Sequence, residues 1–369
     1  MRGRRRTLTL LAATLLSPER LAQAADAKAP ITRHSSPLTP FAQVVPGYRL
    51  RFPEDHGSHP DFRIEWWYVT GWLDPGPLGF QITFFRARPQ LKDDNPSAFA
   101  PRQIIIAHAA IADQAVGSLI HAQRAARSGF ELAGADRGRT RVWVDDWSLR
   151  RADNSYRTSI ATREVSLDLV LASTQPPILQ GRNGYSRKGP APESASYYYS
   201  LPHLRASGSL IRGKGKQPVS GVAWLDHEWS SQYLASGAVG WDWIGINMDD
   251  GGALMAFRMR DRQGGQYWAG GSLRRPDGRM TVFSPETVSF IPGREWKSAR
   301  TGITYPVSWQ VRAGELELAI EPLFDDQEHD TRATTGAIYW EGAARALADG
   351  KPVGRGYLEL TGYGKRLQL

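Results

Sequence analysis

Short segments in which hydrophobic and polar residues alternate dominate the chain after residue 45. They include residues 79–86, 141–145, 165–171 and 315–320. A two-residue period places successive side chains on opposite faces of a β-strand, so this pattern predicts half-buried antiparallel strands. Helical periodicity is nearest at residues 104–112 and 121–127, and there we expect short helices at most.

The pattern also repeats itself in degenerate form. A strand that begins at a tryptophan, an Asp/Gly turn and a second strand ending in arginine occupy residues 67–86 and recur at residues 243–260. A closing pattern at residues 198–224 recurs at residues 339–359. Each half of the chain therefore opens and closes with similar strands. We place the boundary near residues 234–240, which gives units of residues 46–234 and 235–369.

An antiparallel sheet of about eight to ten strands avoids exposed edges by closing into a barrel. The sequence thus predicts an all-β protein made of two tandem antiparallel barrels with few short helices. If the first barrel closes by pairing its first strand with its last, residues 65–72 lie beside residues 221–229. The tryptophan-rich segments 65–72 and 224–229 would then be neighbours.

Composition agrees with a turn-rich β protein and excludes several chemistries. The chain of 369 residues has 13 Trp, 37 Gly, 24 Pro and no Cys. Without cysteine it has no disulfide, thiol nucleophile or cysteine-bound metal. Of the formal net charge of +9, residues 1–24 carry +4, and the rest is scattered, so no nucleic-acid partner is expected.

The first residues have the pattern of a secretory leader. A basic start at residues 1–6 precedes an apolar run at residues 7–16, and Ala22-Gln23-Ala24 fits a cleavage site. We predict a signal peptide at residues 1–24 and a linker at residues 25–45, and hence a periplasmic or secreted protein. The pair Arg5-Arg6 fits a twin-arginine signal, and the general secretory route stays open beside it.

Four motifs together resemble one protein family, from about Pro46 to the C-terminus. They are Glu65-Trp66-Trp67-Tyr68, Ser196-Tyr197-Tyr198-Tyr199-Ser200, Gly221-x-Ala223-Trp224-Leu225-Asp226-His227-Glu228-Trp229, and Tyr339-Trp340-Glu341-Gly342-Ala343 with the closing segment 354–363. The chain resembles the lipocalin-like AttH and carotenoid 1,2-hydratase (CrtC) family. The resemblance implies two tandem lipocalin-like β-barrels, in agreement with the repeat.

That resemblance also implies an activity. Carotenoid hydratases add water across a terminal isoprenoid double bond by acid catalysis without a cofactor, so we expect no cofactor or metal and a hydrophobic small-molecule ligand. An Asp-His-x-Trp-like stretch of those enzymes maps onto residues 226–229. A further catalytic Asp has no secure counterpart, with Asp242, Asp249 and Asp250 as candidates. The predicted export leader argues against a role in carotenoid synthesis at the cytoplasmic face.

Hydration of an alkene needs a strong acid, a shielded carbocation and water, and the tryptophan-rich segments supply these groups. The candidate catalytic residues are His227, Glu65 and Asp226, and the candidate substrate-binding residues are Trp67, Trp229, Tyr198 and Trp66. Strand alternation sends Asp226 and Glu228 to one face, and His227 with Trp229 to the other. We therefore expect His227 and Trp229 inside the barrel facing Glu65 and Trp67, with Asp226 outside as support or as a contact to the other half.

Several other interpretations stay open. Tryptophan-rich strands are often simply core, which applies above all to Trp66, Trp72 and Trp224. A barrel of this kind could be a carrier of a hydrophobic ligand in the cell envelope. It could also be an interaction module that packs through Trp241 and Trp243 and binds an envelope or membrane-associated partner. The pair His56-x-x-His59 is interpreted as loop, since no third metal ligand has helpful spacing. The sequence fixes neither the substrate nor the oligomeric state.

Overall fold

The computed structural model describes residues 41–90, 97 and 99–367. The predicted signal peptide and most of the predicted linker lie outside the described residues. Within the described ranges there is no α-helix, only short 3-10 turns at Glu54–His56 and Pro285–Thr287. No helix in that part of the chain is long and apolar enough to cross a membrane. The all-β prediction is confirmed.

The first sheet has 13 strands. In chain order they are β1 Ile64–Asp74, β2 Leu78–Ala87, β3 Ile104–Asp113, β4 Leu119–Arg127, β5 Ala133–Ala135, β6 Arg141–Val144, β7 Trp147–Ala152, β8 Ser155–Ala161, β9 Val165–Ala172, β10 Ile178–Leu179, β11 Tyr185–Arg187, β12 Ala195–Arg212 and β13 Gly215–Ser230. Its edge strands β4 and β5 lie beside each other, so the sheet forms a nearly closed barrel.

The second sheet has 10 strands. They are β14 Gly240–Met248, β15 Ala253–Arg260, β16 Gln266–Arg274, β17 Met280–Phe283, β18 Val288–Pro292, β21 Trp309–Ala313, β22 Leu316–Pro322, β23 Glu328–Thr331, β24 Ala337–Ala348 and β25 Lys351–Leu360. A separate two-stranded ribbon joins β19 Glu295–Lys297 to β20 Thr304–Pro306.

Strand β1 pairs antiparallel with both β2 and β13. The register with β13 places Glu65 opposite Trp229 and Trp67 opposite His227. The predicted pairing of the two tryptophan-rich segments is therefore confirmed. Both segments also lie near the middle of the sheet, where neighbouring strands hold them on each side.

The two segments for which we expected short helices are strands. Residues 104–112 lie in β3 and residues 121–127 lie in β4, so that expectation is wrong. One face of β3 packs inside the barrel through Ile105 and Ala107, and the other packs against the second sheet through Ala110 and Ala112. A strand buried on both faces has a continuous apolar sequence, and the two-residue alternation disappears.

The repeat is visible in the strand pairing. The hairpin β1–β2 opens the first sheet and β14–β15 opens the second, while β12–β13 and β24–β25 close them. The first sheet ends at Ser230 and the second begins at Gly240. The limits of the two units as domains stay predictions.

A mixed aromatic and small-residue core lies between the two sheets. Trp72 of β1 donates its indole N–H to the Gly356 carbonyl of β25 at 2.9 Å. Close approach depends on small residues, because a Cβ added at Gly79 would lie 2.5 Å from Ala343 Cβ and 2.8 Å from the Tyr357 hydroxyl. The sheets therefore pack face to face, and side chains from both meet in the space between them.

Candidate active site

Strand β13 carries functional groups on both of its faces. His227 and Trp229 belong to the interior of the first barrel, where Trp229 packs in its core. Asp226 and Glu228 point the other way and line a cavity between the two sheets. The predicted alternation thus divides the candidate residues into an inner cluster and an intersheet pocket.

The inner cluster is centred on the Glu65 carboxylate, which is fully buried. Arg86 donates to Oε2 at 2.7 Å. His227 Nε2 lies 2.9 Å and His59 Nδ1 2.7 Å from Oε1. The other ring nitrogens of the two histidines are held by Tyr199 at 3.2 Å and Asp55 at 3.1 Å. The Trp67 and His227 rings stack with centroids 4.7 Å apart.

These contacts determine the charge of the inner cluster. Burial alone would raise the pKa of Glu65, but Arg86 and His59 hold it well below its usual value. Burial lowers the pKa of His227, against the opposing effect of Glu65. Glu65 is therefore an ionised carboxylate and cannot act as a proton donor at neutral pH.

His59, Glu65 and His227 are also a group whose potential metal-ligand atoms lie within 4.8 Å of one another. Their nitrogen and oxygen atoms already contact each other directly, at 2.7 and 2.9 Å. Arg86 occupies the remaining carboxylate oxygen. These side chains therefore have their partners within one buried network of ion pairs and hydrogen bonds, which fits a structural role at the centre of the barrel.

The pocket between the sheets has a different character. Its wall combines four carboxyl groups with tyrosine and tryptophan rings contributed by both sheets. The lining residues are Ile64, Trp66, Tyr68, Thr83, Phe85, Tyr198, Asp226, Glu228, Tyr233, Trp241, Trp243, Tyr339, Glu341 and Glu359. An acid group inside an aromatic wall is the combination that alkene protonation requires.

Asp226 is fixed by three donors. Tyr198 donates its hydroxyl hydrogen to Oδ2 at 2.7 Å, and the Trp224 indole N–H donates to Oδ1 at 2.7 Å. Ser200 also donates to Oδ1. Tyr198 in turn accepts the indole N–H of Trp243 at 3.2 Å. Because Trp243 belongs to β14, this chain of bonds joins Asp226 to the second sheet.

Burial makes these carboxyl groups weak acids. Burial raises the pKa of Asp226 to about 7, although its three hydrogen bonds oppose the shift. Burial also raises the pKa of Glu359 to about 7, and the neighbouring Asp226 and Glu228 raise it further. Burial and the neighbouring Glu359 raise the pKa of Glu341 well above its usual value. Glu341 and Glu359 are direct partners on β24 and β25.

The fourth carboxyl group has a cation beside it. Lys188 Nζ lies 2.9 Å from Glu228 Oε1 and 4.2 Å from the Phe257 ring centroid. Burial still raises the pKa of Glu228, although Lys188 opposes the shift. Lys188 comes from the segment between β9 and β12, which also carries the short strands β10 and β11.

Within the described part of the chain, the Tyr68 hydroxyl and Glu341 Oε1 are buried without a well-aligned hydrogen bond. The two side chains are still near enough to act on each other, since burial and, after it, Glu341 raise the pKa of Tyr68. The cavity itself is small, about 50 Å³, which is enough for water and too small for a substrate of drug size. Trp66, Phe85 and Glu359 are the partly exposed members of its wall, so the cavity lies nearest to solvent at these side chains.

The structure therefore separates the predicted site residues into two groups. Glu65, His227, Trp67 and Trp229 meet inside the barrel, whereas Asp226, Tyr198 and Trp66 line the pocket. Of the further Asp candidates, Asp242 is paired with Arg258 and Arg260, and Asp249 and Asp250 lie exposed in a turn.

Sequence reasoning missed Glu341, Glu359 and Lys188 of the pocket, and Arg86 and His59 of the inner cluster. Glu341 and Glu359 lie within two of the motifs on which the family resemblance rests, and this position was the sequence feature that could have identified them as site residues. His59 was interpreted as loop because the other histidine on Glu65 Oε1, His227, is distant in sequence and reaches that carboxylate only through the pairing of β1 with β13.

Comparison with known proteins agrees with the resemblance to AttH. A profile described as AttH-like matches residues 43–363. An AttH candidate from Nitrosomonas europaea is 52% identical in a solved structure, with a TM-score of 0.83, and the match covers 88% of this chain and 100% of that one. No curated protein matches the sequence significantly.

A more distant structural match is kievitone hydratase from Nectria haematococca. It is 15% identical, with a TM-score of 0.64, and the match covers 88% of this chain and 96% of that one. This likeness shows a shared fold. The family profile spans most of the chain and includes all residues of the inner cluster and the intersheet pocket. The chain thus belongs to the AttH-like family.

Proposed function

We propose that the protein is a hydratase that adds water to an alkene of an isoprenoid-like substrate in the intersheet pocket, with Asp226 as the acid. The observation that carries the proposal is that Asp226 and Glu359 line one buried cavity walled by tyrosine and tryptophan rings. In agreement with it, burial raises the pKa of each of these carboxyl groups to about 7. At neutral pH one such group can be protonated while the other is ionised, as acid and base catalysis requires.

In the first step the Asp226 carboxyl group transfers its proton to one alkene carbon. The π electrons form the new C–H bond, and the other carbon becomes a carbocation while Asp226 becomes a carboxylate. Tyr198, Ser200 and Trp224 donate hydrogen bonds to this carboxylate. These three donors therefore stabilise the form of Asp226 that the proton transfer creates.

In the second step water attacks the carbocation and loses a proton to Glu359. The faces of the surrounding rings, among them Trp66 and Trp243, stabilise the cation by roughly 2 kcal/mol or more when it is desolvated. Return of the proton from Glu359 to Asp226 restores both carboxyl groups, so the net reaction joins one alkene and one water to give an alcohol.

The inner cluster supports the site from the opposite face of β13. Glu65 and His227 hold β1 and β13 together through a buried bond of 2.9 Å. Kievitone hydratase shares the fold, which makes a hydratase compatible with this architecture, and the pocket rather than that likeness supports the proposal. From the predicted leader we further propose a periplasmic or secreted location.

The test is a screen in labelled water. The purified protein is incubated with terminally unsaturated isoprenoids and prenylated aromatics in ¹⁸O-water, and products are identified by mass spectrometry. We expect an adduct carrying one labelled oxygen that Asp226→Asn fails to form. A ligand that copurifies unchanged and binds wild type and Asp226→Asn equally, with no adduct from any compound, would instead favour the carrier interpretation.

A further inference from the structure

His329 of β23 is fully buried. Among the described residues, neither of its ring nitrogens has a hydrogen-bond partner. A buried polar group left in this state costs about 1–3 kcal/mol, so an unpaired imidazole needs an explanation beyond packing. Hydrophobic residues of similar size would fill the same space at lower cost.

His329 lies between Glu341 of the intersheet pocket and His121 of β4. On one side its Nδ1 lies 4.0 Å from Oε2 of Glu341, a wall residue of the intersheet pocket. On the other side its ring centroid is 4.6 Å from that of His121. His121 is only partly buried on β4, and its Nδ1 also has no hydrogen-bond partner.

The distances between His121, His329 and Glu341 fit a series of side chains that pass a proton along better than they fit a metal site. Among the described residues, His59, Glu65 and His227 are the group whose ligand atoms converge within 4.8 Å, and His121, His329 and Glu341 do not form such a group. A gap of 4.0 Å between a nitrogen and a carboxylate oxygen exceeds a hydrogen bond and is closed by small side-chain movement or by one water.

We propose that His121, His329 and Glu341 form a proton path from the protein surface to Glu359 in the intersheet pocket. The path rests on the proposed function, because it exchanges protons with the carboxyl groups assigned to catalysis. In each transfer an imidazole accepts a proton at one ring nitrogen and releases one from the other. The path lets the pocket exchange protons with solvent while product still fills the cavity.

His108 is the matched neighbour outside this path. Its ring lies 5.3 Å from that of His329, but both of its nitrogens are occupied, by Tyr339 at 2.8 Å and Thr334 at 2.9 Å. Charged groups act on both ends of the path. Around His121 they are Arg300, Asp326, Asp330 and Glu164, and around Glu359 they are Asp226 and Glu228.

Burial and the two neighbouring histidines hold the pKa of His329 well below its usual value. His329 is therefore neutral at rest, with one nitrogen able to donate and the other able to accept. A neutral imidazole passes a proton without trapping a charge between the sheets, which agrees with a path and disagrees with a permanent ion pair to Glu341.

The test follows the protonated carboxyl groups directly and needs no substrate. The full-length protein is mixed rapidly from H₂O into D₂O, and the exchange of the carboxylic C=O stretch is followed by time-resolved infrared spectroscopy. Glu341→Gln and Glu359→Gln identify the bands. We expect His329→Gln to slow exchange by about tenfold or more, and His121→Gln to slow it in the same direction.

His108→Gln is the control and should leave the exchange rate unchanged. Thermal unfolding of each variant shows that it is folded, and His121→Gln, near the surface, keeps the test available if His329→Gln does not fold. Equal exchange rates in wild type, His121→Gln and His329→Gln would overturn the path. Slowed exchange in a protein that hydrates no compound would support the path and reject the hydratase.

Discussion

Asp226 and His227 are adjacent on β13, but their side chains lie on opposite sides of the first sheet. Asp226 faces the second sheet through Tyr198 and Trp243, and His227 faces Glu65 inside the barrel. Strand β13 therefore contributes to two sites. One is the inner cluster, whose ionised groups are paired with each other, and the other is the intersheet pocket, whose carboxyl groups can be protonated. Substitution of Asp226 should therefore lower catalytic activity, whereas substitution of His227 should lower the stability of the fold.

Replacement of Asp226 by asparagine should remove the proton donor while keeping its shape. We expect hydration of the substrate found in the labelled-water screen to fall by about 10²–10⁴-fold, the usual contribution of a general acid. Steady-state rates and circular dichroism measure activity and folding together. Asp249→Asn, at an exposed turn, is the control and should keep full activity. Comparable rates in Asp226→Asn and wild type would exclude Asp226 as the acid.

The pH dependence follows from the raised pKa of Asp226. Burial raises it to about 7 from 3.8, so the protonated form stabilises the folded state fully below pH 3.8. This contribution is lost as the pH rises toward about 7. Activity should also fall as the pH rises through about 7, because Asp226 then loses the proton that it must donate.

Denaturant unfolding checks this sign. Asp226→Asn has no proton to lose, so its stability relative to wild type should improve between about pH 5 and about pH 8. The matched Asp249→Asn variant should show no such trend. A constant stability difference between Asp226→Asn and wild type across this range would mean that Asp226 is not protonated in the folded protein.

Arg86 should be important for folding even though it lies outside the pocket. Its guanidinium is buried and lies 2.7 Å from Glu65. Arg86→Met leaves a buried carboxylate without its principal counter-charge, so we expect a loss of about 3–5 kcal/mol in the free energy of unfolding. Urea denaturation measures the loss. Arg279→Ala breaks an exposed pair with Asp277 and should change little, and an equally small effect at Arg86 would contradict the assignment.

Gly79 controls how closely the sheets approach. An alanine there would place its Cβ 2.5 Å from Ala343 Cβ, so Gly79→Ala should lower stability by about 1–3 kcal/mol. Thermal unfolding is the measurement. Gly215→Ala is the control, because its added Cβ would meet only the Arg212 carbonyl oxygen at 3.5 Å. If the two variants unfold alike, the contact at Gly79 is not tight.

Much of the fold could be predicted because local patterns determine it. Alternation and the repeat gave the antiparallel strands, and barrel closure placed Glu65–Trp72 beside the strand of Asp226. They failed at β3, whose residues are buried on two faces and so lose alternation. Alternation also assigned Asp226 and His227 to opposite faces. It could not show that Glu341 and Glu359 cross from the second sheet, because packing between sheets leaves no periodic trace in either strand.

The approach of β12–β13 toward β24–β25 has a consequence for how such a site can arise. The two strand pairs are corresponding parts of the repeat, and each supplies acids to one cavity. Two identical copies joined symmetrically would have to place the same side chain on both walls. In a tandem chain the copies diverge separately, so one wall can specialise in giving a proton and the other in taking it. Asymmetry of chemistry is thus available within a nearly symmetric architecture.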